Sequence, residues 1–194
     1  MNEKLPRPTR ALQKKFPKVW KSFQELGKEC YSAGPRDERV EDSPHGVYAS
    51  PEAHMSVSKA VSLLGIGPDN LRLIPVDDRF RMLPAALEQS MRRDEELGIT
   101  PLAVVATAGT ENTGAIDPLA EIAEIAGKHR GWLHVDGSYG ALAAMAIPDK
   151  FPGLARADSI ALDPHKWLYQ PLDCGFLLHR NTQTARAAFA DSGD

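Results

Sequence analysis

The chain has 194 residues, 42% of them hydrophobic and 25% charged, with a formal net charge of -3. That length allows one domain with a substantial core, and the composition is ordinary for a globular protein. The charge balance gives no general pull toward nucleic acid or an anionic membrane, and the sequence contains no apolar run of the roughly 20 residues that crossing a bilayer requires.

Met1 to Pro6 lacks the apolar stretch of a signal peptide, and Cys30 and Cys174 stand far apart. Reduced thiols in a cytoplasmic protein are therefore expected. Arg10 to Lys28 reads as a helix, with Leu12, Phe16, Val19, Phe23 and Leu26 on one apolar face and Pro17 marking a kink or a start. Ser32 to Gly46 is polar and rich in turn residues, and reads as a surface loop.

Val47 to Ser50 reads as a strand. Met55 to Leu64 reads as a helix with Val57, Ala60, Val61 and Leu64 facing inward, stopped by Gly65 and Gly67. Leu71 to Val76 is the next strand, with Pro75 indicating an edge or an end. Pro84 to Leu97 is a helix closed by Gly98. Leu102 to Thr107 is a continuous apolar run of the kind buried on both faces of a sheet.

A polar loop, Ala108 to Gly114, follows. Asp117-Pro118 then reads as a helix start, with the acid as N-cap and proline at the first helical position. Leu119, Ile122, Ala123, Ile125 and Ala126 form the apolar side of that helix. Strands are expected at Trp132 to Asp136, Ser159 to Leu162 and Cys174 to His179, and a helix at Thr182 to Ala190. The alternation of strands and helices indicates an α/β fold, with a mostly parallel sheet flanked by helices.

In such sheets ligands bind beyond the carboxyl ends of the strands. His54 follows the first strand and Thr110 the third. Asp136 ends its strand, and Asp163, His165 and Lys166 follow the next. Taken singly, each has a structural explanation. Thr110 can close its own turn, Asp136 can cap a helix, His54 can open one, Asp163-Pro164 can be a plain turn, and His134 can be packing or a support for Asp136. Cys174 reads as a small buried residue. Together they bring an acid and a lysine to one sheet edge, which suits a pyridine cofactor bound as an imine. Lys166 lies between an apolar strand and Trp167-Leu168, so partial shielding from water is expected, which favours an amine nucleophile. A nucleotide phosphate loop, the dinucleotide glycine fingerprint, His-x-x-x-His zinc spacing and a Gly-x-Ser-x-Gly elbow are all absent from the sequence.

Tyr48 to Ser56, Ala106 to Asp117, Trp132 to Gly140 and Ala157 to Leu168 resemble the group II pyridoxal-phosphate-dependent amino-acid decarboxylases, over roughly Val47 to Arg180. The resemblance implies the large domain of fold-type I pyridoxal-phosphate enzymes, here incomplete. Residues 1–194 would be one domain, with a helix within 1–31, a loop over 32–46, the α/β core over 47–180 and a tail over 181–194. It implies that Lys166 forms the imine with pyridoxal 5'-phosphate and that Asp136 pairs with the ring nitrogen. His54 would stack on the ring, with Ser138 against the other face. Thr110, Asp163 and His165 would lie near the cofactor, the last two close to its phosphate or to the lysine. No metal is implied. The substrate would be an L-amino acid, losing its α-carboxylate. The wording Asp136-Gly137-Ser138-Tyr139-Gly140 and Asp173-Cys174-Gly175 favours the aromatic type, and a homodimer is implied. An aminotransferase or a cysteine desulfurase shares the aspartate and lysine but usually lacks Asp-Pro-His-Lys-Trp. An inactive remnant is the reading outside enzyme function.

Three departures accompany the resemblance. A Gly/Ser-rich phosphate loop is not found ahead of Arg10. The family's tyrosine-bearing loop and small domain would follow Asp194, so the chain reads as a fragment. Glu111 stands where many members carry threonine or a small apolar residue.

Overall fold

The structure is a computed structural model that describes residues 44–189. The helix expected over Arg10 to Lys28, most of the following loop, and Cys30 lie outside the described residues. Within them the chain alternates β1 (His45–Ala49), α1 (Ser56–Leu63), β2 (Leu71–Leu73), α2 (Pro84–Glu96), β3 (Thr100–Thr107), α3 (Leu119–Lys128), β4 (Trp132–Asp136), β5 (Ser159–Leu162), α4 (Pro164–Trp167), β6 (Phe176–His179) and α5 (Thr182–Phe189). The six strands form one sheet in the order β2-β1-β3-β4-β5-β6. Every neighbouring pair is parallel except β5 with β6. The expected α/β architecture is therefore present. The strand order reverses between β1 and β3, and such a switch point opens a crevice at the carboxyl edge of the sheet.

Side chains alternate across a strand, so each face builds its own core. Tyr48, Val104, Ala106, Leu133 and Val135 point to one face and pack with Leu87 and Met91 of α2 and Leu119 and Ile122 of α3. Each valine, leucine, isoleucine or methionine among them contributes about 1.5–3 kcal/mol by leaving water. All five apolar positions assigned to α3 are buried. Val47, Ala49 and Val105 point to the opposite face and meet Val61 of α1.

Several local expectations change. β2 stops at Leu73 instead of Val76, β6 starts at Phe176 instead of Cys174, and Cys174 is partly exposed instead of buried. Of the four residues expected to face inward from α1, only Val61 is buried, and Leu64 is 64% exposed. The short α1 lies over the sheet at one point and leaves an apolar groove beside it, lined by Val57, Ala60, Leu64, Ala103, Val105 and Ala161. In β3, Val104 to Thr107 are buried as expected, but Leu102 is 40% exposed.

Asp117 does not cap α3, whose N-cap position is Pro118 with no side-chain bond. Its carboxylate instead accepts the backbone N–H groups of Met82 and Thr107, both at 2.7 Å. It thus staples the end of β3 to the segment before α2, and satisfies two buried donors that a cap would have left open. Burial pushes the Asp117 carboxyl above the usual range, partly opposed by those two N–H donors. A folded-state value above the unfolded one means that the folded chain binds the proton more tightly. This contribution is full below about pH 3.9 and is lost as pH rises through the raised folded value. Stability relative to Asp117→Asn, measured by urea unfolding, is expected to shift in favour of the wild type between pH 7 and pH 4. A pH-independent difference would contradict the assignment.

Candidate active site

A cavity of about 550 Å³ opens at the carboxyl edge of the sheet. Four connections supply its lining. The turn after β1 brings Glu52 and His54, and the end of β3 brings Thr107, Thr110 and Glu111. The end of β4 brings Asp136, Ser138 and Tyr139, and the turn after β5 brings Asp163 and Lys166.

The wall between the β3 and β4 loops depends on two glycines. Gly109 has φ +91°, and a Cβ there would come within 2.7 Å of the Gly140 Cα. A Cβ on Gly140 would meet the Ala108 carbonyl oxygen at 2.7 Å. The two backbones therefore touch, which fixes the distance between Thr110 and Ser138. Gly109→Ala combines an unfavourable φ with overpacking, and is expected to lower stability by about 2–4 kcal/mol. A denaturant melt reads this directly, and an unchanged midpoint would rule out the close approach.

Asp136 and Lys166 converge on the cavity from neighbouring strand ends. Asp136 Oδ1 accepts the Ser138 N–H at 3.1 Å, while Oδ2 has no hydrogen-bond partner among the described residues. Lys166 Nζ lies 3.1 Å from Asp163 Oδ2. These two residues are three apart on the short α4 turn, a spacing that places side chains on one face. His165, one residue away, has its Nε2 3.9 Å from the same Asp163 oxygen. Its Nδ1 lies 2.7 Å from the Cys174 carbonyl oxygen, and it does not line the cavity.

His54 Nδ1 sits 2.9 Å from Ser56 Oγ and 3.3 Å from the Ser56 backbone N–H. Its Nε2 faces Glu111 at 3.7 Å. Thr110 is 2% exposed. Its hydroxyl pairs with that of Thr113 at 2.6 Å and accepts the backbone N–H groups of Thr113 and Ala115. The structure thus gives Thr110 the turn-closing role, and the turn carries Glu111. His134 lies on the same side of β4 as Asp136, with Nδ1 2.8 Å from Ser159 Oγ. Burial holds its imidazole below the usual value. Tyr139 stacks edge-to-face with Trp167 at 5.7 Å, bracing one side of the cavity.

Sequence reasoning passed over Thr107. It lines the cavity, is 4% exposed, and its Oγ1 has no hydrogen-bond partner. An orphaned buried hydroxyl costs about 1–3 kcal/mol, a cost that a bound polar group removes. The available signal was a hydroxyl closing an otherwise apolar strand at the ligand edge. An amine, a carboxylate with an open oxygen and an unpaired hydroxyl on one cavity fit pyridoxal phosphate. No group of metal-ligating side chains occurs among the described residues.

A parallel α/β sheet that delivers a lysine and an aspartate to one cavity at its carboxyl edge defines a pyridoxal-phosphate-binding domain of the fold-type I class. The chain belongs to the pyridoxal-dependent decarboxylases, whose conserved domain matches residues 18–191. It is 41% identical over 145 residues to an aromatic-L-amino-acid decarboxylase of Bacillus atrophaeus, covering 74% of this chain and 30% of that protein. It is 42% identical over 137 residues to an acidic amino acid decarboxylase of Xenopus tropicalis, covering 70% and 27%. The Catharanthus roseus tryptophan decarboxylase structure in complex with L-tryptophan superposes with a TM-score of 0.74 at 31% identity, covering 89% of this chain and 37% of that one. The chain thus spans about a third of the length of these relatives.

Proposed function

We propose that the chain forms the cofactor-holding part of a pyridoxal-phosphate-dependent carboxy-lyase acting on an L-amino acid. The observation that carries this reading is the convergence of Lys166 Nζ and the open Asp136 oxygen on one cavity. Pyridoxal phosphate, when bound, supplies an electron sink for the pair left when the α-carboxylate departs as carbon dioxide.

The protein's part is to hold and to orient. Lys166 Nζ is the amine that anchors the cofactor. Asp136 Oδ2 would keep a proton on the ring nitrogen, while Oδ1 stays tied to the Ser138 N–H. Thr107 Oγ1, which has no partner of its own, would donate a hydrogen bond to the bound group. Ser56 fixes His54 at Nδ1 and turns Nε2 toward the cavity mouth. Tyr139, braced by Trp167, closes a side against water. Orientation decides the outcome, because the bond aligned with the cofactor's π system is the one that breaks.

The sequence wording favours an aromatic substrate, although identity to the aromatic and acidic relatives is nearly equal. The family match gives no support to an aminotransferase or a desulfurase. Cytoplasmic residence, which fits the free Cys174 thiol, and a homodimer complete the proposal. No helix among the described residues is long and apolar enough to cross a membrane.

The test is to incubate the chain with pyridoxal phosphate, reduce with borohydride and map the adduct by mass spectrometry. Amino acids are then supplied, and carbon dioxide is assayed against keto acid. An adduct on Lys166 with carbon dioxide as product supports the reading. Keto acid as the main product, or labelling spread over surface lysines, sinks it.

A further inference from the structure

The cavity's charge is lopsided. Its described lining carries four carboxylates, Glu52, Glu111, Asp136 and Asp163, against one ammonium, Lys166, and one imidazole, His54. No arginine is among those residues. Two of the carboxylates have an assigned counterpart. Asp163 pairs with Lys166 at 3.1 Å, and Asp136 would serve the cofactor's ring nitrogen.

Glu111 and Glu52 remain. Glu111 reaches only His54, at 3.7 Å, with both side chains about half exposed. Glu52 has no ion-pair partner among the described residues. Glu111 is also held in place by its surroundings. It follows the buried Thr110, whose hydroxyl fastens the turn by three hydrogen bonds. The backbone that carries Glu111 is therefore fixed at the cavity.

A substrate with a second carboxylate on its side chain needs a cation to receive it, commonly a guanidinium that binds both oxygens. Beside His54 the described lining presents a carboxylate, Glu111, to whatever enters the cavity. Juxtaposed like charges are a standard device for turning away a wrong partner. A neutral aromatic side chain meets no such opposition, and Met55 and Tyr139 offer it apolar surface.

We propose that Glu111 is a specificity-determining residue that rejects amino acids with acidic side chains, so that this site takes L-amino acids whose side chain is neutral or cationic. The inference rests on the decarboxylase reading above. Because Glu111 is partly exposed, water screens its charge, and its effect is roughly fivefold rather than thousandfold.

The test uses the full chain loaded with pyridoxal phosphate. kcat/KM is measured for L-tryptophan, L-lysine and L-glutamate, in the wild type and in Glu111→Gln. The wild type is expected to prefer L-tryptophan or L-lysine to L-glutamate. In Glu111→Gln, the ratio of kcat/KM for L-glutamate to that for L-tryptophan is expected to rise roughly fivefold. Raising the salt from low to molar ionic strength is expected to weaken the discrimination in the wild type more than in the variant, because salt screens exposed charge. A purely structural role for Glu111 would not produce that salt dependence. A wild type that prefers L-glutamate, or a ratio unmoved by the substitution, overturns the inference while a Lys166 adduct and carbon dioxide release leave the decarboxylase reading standing. No adduct on Lys166, or no carbon dioxide from any amino acid, overturns both.

Discussion

Lys166→Ala is expected to abolish the borohydride-trapped adduct and to lower carbon dioxide release by at least about 1,000-fold, because no other amine among the described residues lines the cavity. The fold should survive. Lys166 is about one-third exposed, and its pair with Asp163 is of the partly exposed kind, worth about 0–1 kcal/mol. Lys166→Arg sharpens the result. It keeps a cation beside Asp163 but offers no amine that can condense, so it should melt like the wild type and still show no adduct. A trapped adduct in either variant at the wild-type yield would remove Lys166 from its assigned role.

Asp136→Asn is expected to separate holding from turnover. The amide oxygen can still accept the Ser138 N–H, so the local turn stays intact. An amide has no negative charge with which to keep a proton on the facing ring nitrogen. Turnover should therefore fall by about 100-fold to 1,000-fold, the scale on which preorganised electrostatic groups act. The Lys166 adduct should still form. Measuring adduct yield and single-turnover rate on the same sample distinguishes the two functions. Loss of both together would mean that Asp136 is needed for cavity shape, and unchanged turnover would mean that it does not face the ring.

Much of the fold was legible because its signals were local. β4 and β5 begin and end at the expected residues, since each is a short apolar run cut off by an acid. The convergence of His54, Asp136, Asp163 and Lys166 on one cavity followed from the general rule for sheet edges.

What sequence reasoning missed came from contacts between distant segments. Asp117 followed by proline looks like a helix cap. In the structure two buried N–H groups from other segments compete for its carboxylate and win. The inward set on α1 was set by periodicity alone, which cannot say how far a short helix covers the sheet beneath it. The pairing of Glu111 with His54 joins two loops and leaves no trace in either one. The placement of His165 was partly readable. Its Nε2 lies beside Asp163, as its place next to the lysine suggested, but the hold of its Nδ1 on the Cys174 carbonyl joins two segments and leaves no trace in either. Thr107 was overlooked because it closes an apolar strand and was counted with it.

The clasp between His165 and the Cys174 carbonyl ties the turn that carries Lys166 to the segment leading into β6. The turn that carries Lys166 is only four residues long, too short to be a stable helix by itself. Its neighbour in sequence is held by the segment that enters the single antiparallel strand. The position of the amine therefore leans on a segment that does not itself line the cavity. A change near residue 174 can disturb the cofactor's anchor while Asp136, set by the parallel pairing of β3 with β4, stays in place.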